Sequence, residues 1–292
     1  MFTAVLLASP ARADLDRETV ESLRNAWGGG DALWLNPGIA AEFPLEAMPA
    51  NRWEVWERLQ AMGIDLCVVP TEGRRKKMLL ADMDSTMIGQ ECIDELADEA
   101  GVGAYVASIT ARAMNGELDF EDALRERVAL LKGLDLSVID RVLESRITFT
   151  PGGGELIATM QANGGYAALV SGGFTAFTAH VARELGFDEN RANTLVVDGG
   201  VLAGTVGEPI LGRAAKVTAL EEITTRLGIT PDDAIAVGDG ANDLGMLHRA
   251  GMGVALHAKP VVAAECDIRI NHGDLTALLY VQGYHSRDFR TR

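Results

Sequence analysis

Met78-Leu79-Leu80-Ala81-Asp82-Met83-Asp84-Ser85-Thr86 is the stretch that decides the fold. Four apolar residues run unbroken into an acidic pair. Two later runs have the same form: Tyr166-Ala167-Ala168-Leu169-Val170 stops at Ser171, and Ala234-Ile235-Ala236-Val237-Gly238 stops at Asp239. Strands that are apolar at every position are buried on both faces, as in a parallel sheet covered by helices. Helical spacing fills the intervals over 154–163, 174–185 and 214–227. This alternation predicts an α/β, doubly wound parallel sheet, with ligands beyond the carboxyl ends of its strands.

Outward from that core, residues 88–147 hold no strand-like run. Apolar residues at three- and four-residue spacing, such as Leu124, Val128 and Leu131, predict helices over 88–100, 102–114, 120–131 and 136–145. Inserted behind a strand end, they form a cap over it. Leu195–Asp198 and Val201–Ala203 read as a hairpin turning on Gly199-Gly200. Residues 1–72 read as a small α+β unit, with strands over 2–8 and 64–69 and helices over 16–27 and 52–62. A linker at 70–73 leads into Arg74-Arg75-Lys76-Lys77, read as a solvated lead-in. The expected division is thus 1–72, a core of 73–87 and 148–292, and a cap of 88–147, with a frayed tail from Tyr284.

The chain has 292 residues, with 42 acidic against 26 basic and a net charge of −16. Such a field repels nucleic acid and anionic membranes, so neither is expected as a partner. With 48% hydrophobic and 23% charged residues, wholesale disorder is excluded. No apolar stretch reaches the ~18 residues of a membrane span, and a soluble protein is expected. Cys67, Cys92 and Cys266 are odd in number and widely spaced, which suits a reducing, cytoplasmic setting. Met1–Asp14 imitates a leader peptide but has no basic residue before its apolar run, and it reads better as a strand from Phe2.

Asp82 and Asp84, two apart on a strand, point the same way. Two such close carboxylates repel unless a divalent cation relieves them, although an ordinary strand end with a turn cap reads equally well from the pair alone. Gly238-Asp239-Gly240-Ala241-Asn242-Asp243 adds two more carboxylates at the third strand end. Oxygen donors with neither Cys nor His among them are what Mg²⁺ takes. Ser171-Gly172-Gly173 is either a plain turn or an anion cradle at a helix start. Lys216 is either a surface lysine or the cation that such an acidic phosphate site requires, and Arg125 and Arg127 are either exposed or paired to Asp122 and Glu126. Together these residues compose a phosphoryl-transfer site, in which a carboxylate attacks phosphorus and a second one passes protons. No P-loop or dinucleotide fingerprint competes with it.

Asp82–Thr86, Ser171–Gly173, Lys216 and Gly238–Asp243, in this order, resemble the four motifs of the haloacid dehalogenase (HAD-like) superfamily of phosphatases. Glu91-Cys92-Ile93-Asp94-Glu95-Leu96-Ala97 and the run Met114–Val128 resemble the branch that acts on phosphoserine. The resemblance covers 78 to about 280 and implies a HAD-like, Rossmann-like core, Mg²⁺, and hydrolysis of phosphoserine to L-serine through an aspartyl phosphate. It makes Asp82 the nucleophile and Asp84 the general acid and base. Asp82, the carbonyl of Asp84, Asp239 and Asp243 become the metal site. Ser171, Gly172 and Lys216 bind phosphate and Asn242 orders the site. Glu91 meets the substrate ammonium, Arg127 its carboxylate, and Met114 and Phe120 close over it. Residues 1–72 resemble a shortened ACT-like domain, tied in relatives to amino-acid binding or to a homodimer. Other small phosphate esters, such as phosphohomoserine or phosphothreonine, a phosphotransferase, and a phospho-accepting receiver stay open at this stage.

Overall fold

The computed structural model describes residues 1–291. The amino-terminal unit runs β1 (Phe2–Ala8), α1 (Arg17–Trp27), β2 (Leu33–Asn36), β3 (Ala40–Leu45), α2 (Arg52–Gln60), β4 (Ile64–Pro70). Its strands lie in the order β2-β3-β1-β4, antiparallel throughout. This is the complete split βαββαβ arrangement rather than a shortened one. Sequence reading missed β2 and β3 because β3 carries Glu42 and Pro44. Glu42 is buried in β3 only because Arg74, 32 residues away, pairs with it through two bonds of 2.7 and 2.8 Å. α1 starts where expected, with the Asp16 side chain accepting the Thr19 amide at 2.8 Å.

The basic run after β4 is a solvated lead-in only in part: Arg75 and Lys77 are exposed, yet every one of its side chains has a partner. Besides Arg74, Arg75 stacks over the Tyr284 ring at 4.3 Å, Lys76 donates to the Asp232 carbonyl at 2.7 Å, and Lys77 pairs with Asp233 at 3.0 Å. Arg74 fastens the linker to the amino-terminal unit, and the other three side chains fasten it to the core.

The core begins at β5 (Met78–Ala81). The cap follows as α3 (Cys92–Glu99), α4 (Gly103–Met114), α5 (Phe120–Ala129) and α6 (Ser137–Ser145). The first cap helix starts at Cys92 rather than 88, since Ile88 instead bridges to Phe149 and ties the two cap stems together. The chain returns through α7 (Gly153–Ala162), β6 (Tyr166–Phe174), α8 (Thr175–Leu185), β7 (Glu189–Asn193) and the hairpin β8 (Leu195–Asp198) and β9 (Val201–Val206). It ends with α9 (Arg213–Leu227), β10 (Ala234–Gly238), α10 (Leu244–Arg249), β11 (Met252–Leu256), α11 (Pro260–Ala264), β12 (Ile268–Ile270) and α12 (Ala277–Val281).

The large sheet has the order β12-β11-β10-β5-β6-β7, parallel throughout. From β5 the chain winds outward through β6 and β7, then returns to β10 and winds the other way, so the topological switch lies between β5 and β10. β5 and β10 are buried at every residue, as their unbroken apolar runs require. The hairpin joins neither sheet. It lies on the cap, with Gly133 donating to the Leu202 carbonyl, Leu202 to Leu134 and Leu136 to Gly200, at 2.8 to 3.0 Å. The tail is not frayed at Phe289, which packs on Tyr280 with ring centroids 5.0 Å apart. Among the described residues, no helix is long and apolar enough to cross a membrane.

Asp65 on β4 docks the amino-terminal unit. Its fully buried carboxylate accepts the amides of Asn271, His272 and Gly273 at 2.8 to 2.9 Å, just beyond β12. Asp65→Ala leaves these donors bare, and the expected cost is about 3 to 5 kcal/mol in urea denaturation. An unchanged midpoint would show that the docking carries no stability.

Candidate active site

At the switch point, β5 delivers Asp82 and Asp84, and β10 delivers Asp239 and the turn to Asp243. The Asp82 amide extends the ladder by donating to the Val237 carbonyl at 3.0 Å, which holds the two strand ends side by side. Lys216 enters from the first turn of α9. Its fully buried ammonium donates to Asp82 Oδ1 at 2.5 Å and to Asp243 Oδ1 at 2.6 Å. Burial disfavours the ammonium, but Asp243 and Asp82 outweigh it and raise the Lys216 pKa. Asp243 Oδ2 turns back to accept the amides of Asp239 and Gly240 at 3.2 and 3.1 Å.

One carboxylate is left over. Among the described residues Asp239 Oδ2 is buried without a hydrogen-bond partner, and the nearest cation, Lys259, stands 3.7 Å away. Asp82, Asp239 and Asp243 place oxygens within 4.8 Å of one another, a set able to hold a metal ion. The Asp84 side chain lies outside that trio. Its Oδ1 accepts the Cys92 amide at 3.2 Å, while Oδ2 lies against Gly173. Burial is the main cause that pushes both Asp82 and Asp84 up to about 7, with Asp243 adding to the first and Asp82 to the second.

The pocket in front of these groups is partly open to solvent and has about 390 Å³ of empty space. Its walls include Asp82, Asp84, Ser171, Gly172 and Asn242 from the core and Glu91, Met114, Phe120 and Arg127 from the cap. All the site residues expected from sequence line this pocket or the Lys216 cluster behind it, with Arg125 on the outside, paired to Glu121 and Glu208. Ser171-Gly172-Gly173 ends β6, which continues through Phe174, and leads as expected into a helix start, α8 at Thr175. The two glycines admit close approach. A Cβ at Gly172 would lie 2.5 Å from the Phe120 ring, and one at Gly173 would lie 2.6 Å from Asp84 Oδ2. The cap is tied down beside them by the Ala241 amide, which donates to the Met114 carbonyl at 3.0 Å.

Glu91 precedes α3 and accepts the Ser85 hydroxyl at 2.6 Å, with Ser85 held at φ 54°. Burial first, and Asp84 second, push its carboxyl up to about 8. Arg127 is 2% exposed, yet no carboxylate oxygen lies within 4.0 Å of its guanidinium among the described residues. It donates instead to the Ala123 carbonyl at 3.0 Å and the Thr110 hydroxyl at 2.9 Å.

Sequence reading missed Asn193, Thr86 and Lys259. Asn193, buried at the end of β7, donates to the carbonyls of Gly172 (2.8 Å) and Leu211 (3.1 Å) and accepts the Leu211 amide (2.6 Å). It stitches the β6 end to the segment that leads into α9. Its role depends on a break in the ladder between Val170 and Phe174, which no local pattern announces. Thr86 donates to Asp239 Oδ1 at 3.4 Å.

A family model described as haloacid dehalogenase-like hydrolase matches residues 79–248. The chain is 42% identical over 249 residues to a phosphoserine phosphatase of Archaeoglobus fulgidus, across 83% of this chain and 72% of that protein. A solved HAD family hydrolase from Salmonella enterica serovar Typhi superposes at TM-score 0.84 and 29% identity, covering 97% of this chain and 98% of that one. A structure described as a phospho-aspartyl intermediate analogue of phosphoserine phosphatase matches at TM-score 0.68 and 43% identity, covering 70% of this chain and 98% of that one.

Two stability measurements check the electrostatics. Mg²⁺ at one hundred times its dissociation constant is expected to stabilise the fold by about 2.7 kcal/mol, and Asp239→Asn to remove most of that gain; a thermal midpoint indifferent to Mg²⁺ would exclude a metal site here. Lys216→Met leaves two buried carboxylates without a counter-charge, for an expected loss of about 3 to 5 kcal/mol at pH 8. Without the ammonium the Asp82 carboxyl rises above the value of about 7 that it has beside Lys216, so the loss is full above that higher value and should shrink as pH falls toward about 7. A loss that does not vary with pH would contradict the pairing.

Proposed function

The chain belongs to the haloacid dehalogenase-like hydrolases, and on that premise we propose that it hydrolyses O-phospho-L-serine to L-serine and inorganic phosphate. The observation that carries the substrate is Arg127, a buried guanidinium with no carboxylate oxygen within 4.0 Å among the described residues, facing a pocket that also holds Glu91. An unpaired buried cation is costly unless a ligand completes it. A ligand carboxylate completes Arg127, a ligand ammonium completes Glu91, and a phosphate between them reaches Asp82. An amino-acid phosphate has these three charges.

In this reading Asp82 attacks phosphorus, the bond from phosphorus to the serine oxygen breaks, and Asp84 gives that oxygen a proton. A carboxyl pushed up to about 7 holds such a proton near neutrality. With Oδ1 held by the Cys92 amide, Oδ2 is the oxygen that carries it. A water then attacks the aspartyl phosphate, Asp84 Oδ2 takes its proton, and phosphate leaves with Asp82 restored. Lys216 keeps Asp82 aligned, and its charge favours the ionised form that attacks. Ser171 and the backbone at Gly172 face the phosphate, and Asn242 borders it. Met114 and Phe120 exclude water from the ester, and their cover speaks against a signalling receiver, whose phosphate must reach a partner.

Mg²⁺ fits the oxygen-only trio and the unpartnered Asp239 Oδ2. Asp82, Asp239 and Asp243 would hold it, with the Asp84 carbonyl, and when bound it neutralises negative charge on the transferring phosphoryl group. Three buried free cysteines support a reducing, cytoplasmic setting. The amino-terminal unit is assigned a structural or homodimer role.

Phosphate release from L-phosphoserine, with Mg²⁺ and with EDTA, tests the reaction. Asp82→Asn is expected to lose at least 10³-fold in kcat, and retained turnover would refute its role. Arg127→Ala is expected to lower kcat/KM for phosphoserine about 100-fold and leave p-nitrophenyl phosphate nearly unaffected. Equal losses would make Arg127 structural.

A further inference from the structure

Arg127 is held in place without being neutralised, and the groups that hold it lie outside the pocket wall. Thr110, buried on α4, offers its hydroxyl oxygen to Arg127 Nη1 at 2.9 Å and gives its hydroxyl proton to Asp94 Oδ1 on α3 at 2.6 Å. A hydroxyl has one proton and a carboxylate only accepts, so the direction of this chain is set: Thr110 donates to Asp94, and its lone pairs are left for Arg127. The Ala123 carbonyl takes the Nε proton at 3.0 Å. Two bonds from two cap helices thus orient the fork, and neither comes from a charged group.

We propose that Thr110 is a specificity-determining positioning residue, which aims Arg127 at the pocket while keeping Asp94 one side chain away from it. Direct contact with Asp94 would form a bidentate ion pair and occupy the donors that a ligand carboxylate needs. With a hydroxyl in between, Asp94 steadies the arrangement and the guanidinium charge stays available. The identity of the ligand rests on the reading above; the relay itself rests on the geometry.

The test compares Thr110→Val, which keeps shape and loses the hydroxyl, with Thr110→Ser, which keeps the hydroxyl. Each is assayed on O-phospho-L-serine and on O-phosphoethanolamine, which has the ammonium and phosphate but no carboxylate. Thr110→Val is expected to raise KM for phosphoserine about 10- to 100-fold with kcat within about threefold of the parent. Its kcat/KM for phosphoethanolamine should be unchanged, and Thr110→Ser should restore the phosphoserine KM. Equal losses on both substrates, or no loss on phosphoserine, overturn the proposal. Should Thr110→Val not fold, Thr110→Ala carries the same comparison. A parent enzyme with no preference for phosphoserine over phosphoethanolamine refutes the substrate reading itself, and the role of Thr110 falls with it. A parent that has the preference while the variants keep it refutes only the role of Thr110.

Discussion

The structure is organised around one buried ammonium set between two carboxylates. Lys216 joins Asp82 of β5 to Asp243 beyond β10, across the switch point of the sheet, at 2.5 and 2.6 Å. Charges taken out of water are expensive singly and tolerable when paired and hydrogen-bonded. Here the pairing spans three separate segments of chain, so the ion cluster exists only when the sheet is assembled. It also leaves a remainder. Asp239 stands in the same volume with an oxygen that accepts no hydrogen bond among the described residues, so the cluster holds more carboxylate than Lys216 can pair.

The cap supplies the complementary half. The core end of the pocket presents Asp82, Asp84 and Ser171, and the cap end presents Glu91 and Arg127, one of each sign. The two halves meet where side chains are absent: Phe120 sits in the space that a Cβ on Gly172 would take. On the proposed function, reaction chemistry falls to the core and substrate choice to the cap, which permits one to change while the other stays.

How much of this was legible in the sequence follows from what kind of signal each element leaves. β5, β6 and β10 were readable because strands buried on both faces must be apolar throughout. Their acidic and glycine-rich ends were readable because they break that run abruptly. β2 and β3 were missed because Glu42 reads as exposed until Arg74 is seen beside it. The same pairing explains why the basic run 74–77 looked like a solvated stretch. Asn193 left no trace, since an asparagine that serves a ladder break is chemically indistinguishable from one in a loop. Cap helices were located by periodicity, but the first begins at Cys92 rather than where apolar spacing begins, because Ile88 is taken up in a bridge to Phe149.

The docking of Asp65 also bears on colloidal behaviour. An open parallel sheet has two edge strands, each a row of bare amides and carbonyls ready to recruit another chain. β7, at one edge, bears Glu189 and Arg191, which are engaged with Arg226 and Glu222 and surround that edge with charge. β12, at the other, is three residues long, and the amides just beyond it are claimed by Asp65 from the amino-terminal unit. That unit therefore acts as a guard against edge-to-edge aggregation of the catalytic sheet, a service it renders whether or not it binds anything of its own.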